Sequence, residues 1–136
     1  MTASARLTIS ELLARAQSRL DRLDPAAVLA AQGEGATVID LRCSDDRRER
    51  GTIPGAVAIP LSVVFWRLDP SSGYDDPRMS DPTRQFVLVC NDGYSSSIAA
   101  ATLRDLGFDR ATDLAGGFNA WVAAGLPVVP VVPGED

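Results

Sequence analysis

The fold of this chain is decided by one stretch of sequence, Val87-Leu88-Val89-Cys90-Asn91-Asp92-Gly93-Tyr94-Ser95-Ser96-Ser97. Its first residues belong to a continuous apolar run, 85–90, which is typical of a strand in a parallel sheet covered on both faces. A short loop with one glycine follows, and the serines open a predicted helix that runs to about Leu106 and stops at Gly107. In open α/β sheets the carboxyl ends of the strands form the ligand crevice, so Cys90 is predicted to lie at that edge.

Strands and helices alternate along the rest of the chain. Helices are predicted at 9–22, 25–32, 63–67, 96–106 and 118–124, and strands at 37–41, 56–59, 85–90 and 111–114. Thr8-Ile9-Ser10-Glu11 is a capping box for the first helix, Asp24-Pro25 caps the second, and Ser62 is expected to cap the third. The pattern predicts an α/β fold with a central, mainly parallel sheet and helices on both faces.

The composition limits the chemistry that is open to this single domain of 136 residues. It has no histidine and no lysine, since all 13 basic residues are arginine. This excludes Ser-His-Asp triads, histidine metal sites, Schiff bases and the P-loop lysine. Two cysteines, Cys43 and Cys90, are too few for a Cys-only zinc site or a disulfide scaffold. The sequence has no cluster of metal ligands, so no metal is expected, and no cofactor is expected either. If the chain is an enzyme, a thiol is the leading nucleophile by elimination.

Charge and hydropathy restrict the partners in the same way. A net charge of -5 argues against a nucleic-acid partner, which would need clustered basic residues. No apolar run is long enough for a membrane span, and no leader motif precedes the first helix. The chain is therefore expected in the reducing cytoplasm, where its cysteines stay thiols.

The loop after Cys90 carries the functional signal. Backbone N–H groups that lead into a helix N-terminus can converge on the cysteine sulfur and stabilise a thiolate, a persulfide or a bound anion. Gly93 is expected to supply the positive φ that lets the loop curl. The residues predicted to form this cradle are Asn91, Asp92, Gly93, Tyr94, Ser95 and Ser96. On these residues alone, a second interpretation stays open, in which Cys90 is a small buried hydrophobe at a strand end.

Several separate motifs resemble those of the single-domain rhodaneses, a family of sulfurtransferases. They are similar, in order, to the family's Asp-x-Arg strand end, its Gly-His-Ile-Pro-Gly-Ala turn, its Cys-x-x-Gly-x-Arg-Ser loop and its C-terminal signature. The matching stretches are Val38-Ile39-Asp40-Leu41-Arg42, Gly51-Thr52-Ile53-Pro54-Gly55-Ala56, the loop that opens at Cys90, Leu114-Ala115-Gly116-Gly117-Phe118 with Ala120-Trp121, and Ala124-Gly125-Leu126-Pro127-Val128.

The resemblance implies a rhodanese-like fold for residues 25–130, preceded by a helical extension, 1–24, and followed by a tail, 131–136. It also implies a mechanism in which Cys90 attacks a sulfane-sulfur donor, carries the sulfur as a persulfide and passes it to a thiol acceptor. The backbone amides of residues 91–96 then take the place of the family's anion cradle. The expected partners are a small-molecule or protein persulfide donor and a thiol acceptor.

The chain departs from the family in the loop itself. Ser95 stands where the family has an arginine, and Asp92 adds a negative charge. Loss of a charge-assisted contact predicts weak use of thiosulfate and a bulkier or less anionic donor. Arg42, at a strand end, and Arg67, on a predicted helix, are the candidates to face the Cys90 pocket and bind an anion in its place.

Several points have more than one interpretation. Cys43 either resolves an oxidised or persulfidated Cys90 or is an incidental loop cysteine. Tyr94 either walls the pocket or donates its hydroxyl there, or it packs in the core. The apolar stripe of the first helix is buried either on its own domain or across a homodimer. A phosphatase or arsenate reductase would need the missing loop arginine. A non-catalytic rhodanese-like interaction domain is the alternative that this missing arginine favours.

Overall fold

Four short parallel strands form the centre of the computed structural model, which describes residues 6–132. They alternate with six helices in the described part of the chain. The elements in chain order are α1 (Ile9–Ser18), α2 (Pro25–Gly33), β1 (Thr37–Asp40), α3 (Ser44–Arg50), β2 (Val57–Ala58), α4 (Val64–Leu68), β3 (Phe86–Val89), α5 (Ser95–Asp105), β4 (Thr112–Asp113) and α6 (Gly117–Ala123).

The order of the strands brings several carboxyl ends to one edge of the sheet. The order is β2-β1-β3-β4, and all three pairings are parallel. Asp40 pairs with Val89, and Leu88 pairs with Asp113. The residues that follow β1 and β3 therefore lie beside the end of β4, as the α/β prediction requires.

Alternate residues of the two central strands supply two apolar cores, one on each face of the sheet. On one face Ile39 and Leu88 pack with α4 and α5, and on the other Val38 and Val87 pack with α2 and α6. This alternation confirms the predicted sheet with helices on both faces.

Helix α1 packs on its own domain, against α5. Ala16 and Leu20 are buried, and Leu20 joins the core of that face. Ile9 and Leu12, at the start of the same stripe, are exposed. The stripe therefore meets its own domain through its second half.

Local capping signals set the starts of α1 and α2. The Thr8–Glu11 capping box is formed, and the Asp24 carboxylate accepts a hydrogen bond from the N–H of Ala27 at 2.8 Å. The expectation for Ser62 is wrong, because α4 begins after Val63 and has no side-chain cap. Within residues 6–132, no helix is both long and apolar enough to cross a membrane.

Candidate active site

Cys90 is half-buried directly after β3, and its sulfur is the centre of a ring of hydrogen-bonding groups. The Gly93 N–H donates to Sγ at 3.2 Å, and the Ser96 N–H donates to it at 3.4 Å. The Ser96 hydroxyl oxygen lies 3.3 Å from the same sulfur. Two backbone donors on one sulfur stabilise negative charge there, which is the environment that a nucleophilic thiol needs.

The loop points these amides toward the sulfur because its carbonyl groups point away from the sulfur and accept hydrogen bonds from other segments of the chain. The Cys90 carbonyl accepts a hydrogen bond from the Phe118 N–H at 2.8 Å, at the start of α6. The Gly93 carbonyl accepts one from Arg22 Nη2 at 2.9 Å. Gly93 has φ +83°, as expected, so the chain reverses at that residue. With its carbonyls turned out, the loop presents N–H groups to the sulfur.

A buried carboxylate lies beneath the loop, at the end of β4. The Asp113 side chain has no exposed surface and pairs with Arg22, whose Nε donates at 2.9 Å. The Ser96 and Ser97 hydroxyls donate to Asp113 Oδ2 at 2.8 Å and 2.7 Å. Asp113 therefore connects the first turn of α5 to Arg22, in the segment before α2. Through Ser96 it is also connected to the Cys90 sulfur.

A cleft of about 350 Å³ opens above Cys90. It is lined by Cys90 and by most of the residues that were predicted to form the cradle. The other two cradle residues, Gly93 and Ser96, are buried beneath the cleft. Tyr94 is 61% exposed and lines this cleft, so of its two interpretations the pocket wall is confirmed and packing in the core is not. The lining residues are Leu41, Arg42, Cys43, Asp46, Leu61, Cys90, Asn91, Asp92, Tyr94 and Ser95.

Arg42 lines the cleft, but its guanidinium is bound by groups beneath the cleft floor. Its guanidinium makes two hydrogen bonds to Asp40, at 3.1 Å and 2.8 Å, and a third to the Gly51 carbonyl at 2.7 Å. It also stacks over the Phe118 ring, with Cζ 3.7 Å from the ring centroid. One nitrogen, Nη1, is buried without a hydrogen-bond partner within the part of the chain that the structure describes.

The structure does not bring Arg67 to the Cys90 cleft, so the expectation for that residue is corrected. Arg67 Nη1 donates to the Tyr74 carbonyl at 2.8 Å, and Nη2 lies 3.7 Å from Asp76. The reason is the loop at 69–81, which folds back along α4 and binds the Arg67 guanidinium through the Tyr74 carbonyl and the Asp76 carboxylate. Arg67 instead lines a wider surface depression of about 560 Å³ that includes Trp66 and holds no cysteine.

Two carboxylates border the cleft. Asp46 accepts a hydrogen bond from Asn91 Nδ2 at 3.0 Å. This bond, and a second one from the Cys43 thiol, hold the pKa of Asp46 below its usual range. Asp92 is turned toward α6, where Asn119 Nδ2 donates to it at 2.7 Å. The cleft mouth therefore carries negative charge, which disfavours a small dianionic ligand.

Sequence reasoning missed Asp46, Ser97, Asp113 and Arg22. Asp113 was within reach, because it ends the strand next to Cys90 and strand ends share one edge. Arg22 gave no signal, since it contacts Asp113 across 91 positions of sequence.

A cysteine at a strand end, inside a loop whose amides face its sulfur, defines a class of α/β domains with a loop cysteine at the edge of the sheet. Residues 24–124 match the family model of the Rhodanese-like domain. The chain is 35% identical, over 104 residues, to a thiosulfate sulfurtransferase GlpE of Pseudomonas entomophila (strain L48), with 76% of this chain and 86% of the relative covered. It is 30% identical, over 99 residues, to a sulfurtransferase of Allochromatium vinosum, with 73% of this chain and 83% of that one covered.

A solved structure from Rhodopseudomonas palustris CGA009 is similar over nearly the whole chain. It has a TM-score of 0.84 and 29% identity, and the match covers 95% of this chain and 99% of that one. That protein is described as one of unknown function and a possible tyrosine phosphatase. The present chain belongs to the rhodanese-like family. By its relatives it is a rhodanese-like sulfurtransferase.

Proposed function

We propose that this protein moves sulfane sulfur through a persulfide on Cys90. The observation that carries the proposal is the pair of backbone donors, from Gly93 and Ser96, that meet at Sγ. They are aimed at the atom where negative charge is present both in the thiolate and in the persulfide anion. The half-buried sulfur opens to a cleft, so a donor can reach it from one side.

The reaction has two displacements at sulfur. In the first, the Cys90 thiolate attacks the outer sulfur of the donor. A new S–S bond forms at Sγ, and the remainder of the donor leaves with the electron pair of the broken bond, as sulfite when the donor is thiosulfate. In the second, an acceptor thiolate attacks the outer sulfur of the persulfide, takes it, and returns Cys90 to a thiolate.

The preferred donor is less anionic than thiosulfate. Ser95 supplies no cation to the cleft, Asp46 and Asp92 border it, and the Arg42 guanidinium is engaged with Asp40. A dianion therefore meets negative charge, and only uncharged donors, such as the backbone amides and the Tyr94 and Ser95 hydroxyls, are left to bind it. A persulfide of a small thiol or of a protein cysteine fits this charge pattern, and the reducing cytoplasm is the compartment that we propose for the exchange.

A tyrosine phosphatase is the second candidate, because the Rhodopseudomonas palustris protein is described as a possible one. Phosphate transfer from a loop cysteine needs a cation to clamp the equatorial oxygens. After Cys90 the chain has no arginine before Arg104, at the far end of α5. The same missing cation favours a third candidate, a non-catalytic interaction domain, whose cysteine would accept no sulfur.

A donor-and-acceptor assay separates the three candidates. Purified protein is given glutathione persulfide, 3-mercaptopyruvate or thiosulfate with a thiol acceptor, and a parallel reaction contains p-nitrophenyl phosphate. We expect turnover with the persulfide, weak turnover with thiosulfate, none in Cys90→Ser and full turnover in the matched control Cys43→Ser. Phosphate release that depends on Cys90, or no sulfur transfer from any donor, contradicts the proposal.

A further inference from the structure

The single proton of the Ser96 hydroxyl has two acceptors within reach. Ser96 Oγ lies 2.8 Å from Asp113 Oδ2 and 3.3 Å from Cys90 Sγ. A serine hydroxyl can donate one hydrogen bond and accept two. It can therefore donate to only one of these neighbours at a time.

Asp113 decides which neighbour receives that proton. Its carboxylate pairs with the Arg22 guanidinium, and a carboxylate can only accept hydrogen bonds. At 2.8 Å the Ser96 hydroxyl must then be the donor toward Asp113. A carboxylate oxygen is also a stronger acceptor than sulfur. The Ser96 oxygen consequently presents a lone pair to Cys90, which suits a thiol S–H and opposes a thiolate.

We infer that Asp113 and Arg22 are positioning residues that orient the Ser96 hydroxyl as an acceptor toward the Cys90 sulfur, so that only backbone amides stabilise the reactive anion. The inference rests on the proposed function in one respect, that Cys90 is the reacting group. It gives Asp113, Arg22 and Ser96, which lie beneath the loop, a role in lowering the reactivity of the Cys90 sulfur. Arg22 precedes the residues, 24–124, that the family model matches.

The reactivity of Cys90 also depends on the other charged and titratable groups around it, which come from several elements. Those that line the same cleft or lie beneath it are Arg42 and Cys43 after β1, Asp46 on α3, Asp92 and Tyr94 in the loop, Asp113 on β4, and Arg22 before α2. The first comparison must therefore keep these groups the same in the variant and in its parent, so that the two differ in one hydroxyl. Ser97 offers the control, because its hydroxyl donates to the same Asp113 oxygen at 2.7 Å.

The experiment is the pH dependence of Cys90 alkylation by iodoacetamide in the Cys43→Ser protein, which needs no sulfur donor. Rates are compared at about pH 6, below the usual range of a thiol, and at about pH 10, above it. We expect Ser96→Ala to react at least as fast as its parent at the lower pH, and Ser97→Ala to show no gain. A loss of about tenfold in Ser96→Ala alone would mean that Ser96 donates to the thiolate, and it overturns the inference.

A second pair of variants tests Asp113 itself. Asp113→Asn releases the Ser96 proton to the sulfur, so the rate at about pH 6 should rise about tenfold and converge with the parent rate at about pH 10. That gain should shrink in the double variant Ser96→Ala/Asp113→Asn, because the hydroxyl that transmits it is gone. A gain of equal size in both backgrounds would mean that the carboxylate acts by charge alone, which contradicts the inference. If Asp113→Asn does not fold, the direction of the Ser96→Ala effect still decides. Neither result depends on whether Cys90 accepts sulfur.

Discussion

Replacing Gly93 with alanine tests whether the curl of the loop creates the reactive sulfur. The backbone there has φ +83°, a conformation that L side chains rarely adopt. A Cβ at this position would lie 2.8 Å from the backbone nitrogen of Gly116 and 3.2 Å from that of Gly117. Because both neighbours are backbone atoms at the start of α6, either the loop or the helix must shift.

The size of the effect has two parts. The left-handed conformation costs about 1–2 kcal/mol for a residue with a Cβ. The steric overlap adds about 1–3 kcal/mol, the usual cost of overpacking. Gly73→Ala is the matched control, since its φ is +82° and no atom lies within 4 Å of its ideal Cβ. Both variants carry the cost of the left-handed conformation, but only Gly93→Ala has the overlap. We therefore expect Gly93→Ala to lower the free energy of unfolding more than Gly73→Ala does, by about 1–3 kcal/mol, the cost of the overlap.

The Gly93 N–H is also one of the two amides on the Cys90 sulfur, so a shifted loop weakens the cradle. We expect a loss of about 100-fold in sulfur transfer, as when one donor of an oxyanion hole is removed. Urea unfolding measures the first effect, and transfer from glutathione persulfide under folding conditions measures the second. Equal stability and equal turnover in Gly93→Ala and Gly73→Ala would refute this account of the loop.

Three further predictions follow from charge. Ser95→Arg restores a cation to the cleft and should raise kcat/KM for thiosulfate about tenfold relative to the persulfide donor, measured in the same transfer assay. Arg42→Ala removes the close ion pair of the buried Asp40 and leaves it only the longer one to Arg47, at 3.9 Å, so it should lower the free energy of unfolding by about 3 kcal/mol in a urea titration. The pKa of Asp76 is lowered from its ordinary value of 3.8 to about 2 by hydrogen bonds from Arg78. Because the folded state lowers this pKa, ionised Asp76 stabilises the folded state above pH 3.8, and this stabilisation is lost as the pH falls toward 2. The difference in unfolding free energy between Asp76→Asn and the wild type should therefore shrink as the pH falls through that window.

Each of these three predictions has a control and a contrary result. Ser95→Gln lengthens the side chain without charge, and an equal gain there would argue against electrostatics. Arg19→Ala removes a surface partner of Asp105 and should cost less than about 1 kcal/mol, so a cost equal to that of Arg42→Ala would contradict the burial argument. A stability difference for Asp76→Asn that stays constant from pH 7 to pH 2 would contradict the linkage.

Short-range patterns in the sequence predicted most of the fold. The Thr8 capping box and the Asp24 cap act within four residues of chain, and both are formed. The apolar run that ends before Cys90 is a buried strand at the centre of the sheet. The alternation of strands and helices also predicts the correct edge of the sheet for Cys90, which directly follows β3.

The side chains around the site were less predictable, because their positions depend on contacts between distant segments. Arg67 is drawn away from the cleft by the backbone of Tyr74, in a loop whose path no periodic pattern indicates. Arg22 reaches Gly93 across 71 positions and Asp113 across 91. Such contacts arise from the packing of α1 and the β4 end around the loop, which spacing along the chain does not encode.

The most direct test of the central claim is an intact mass spectrum of the protein after incubation with glutathione persulfide and removal of the excess donor. The account predicts a gain of one sulfur atom in the wild type and in Cys43→Ser, none in Cys90→Ser, and return to the original mass when a thiol acceptor is added. A wild-type mass that does not change, or a gain that persists in Cys90→Ser, would contradict the claim that Cys90 carries the sulfur.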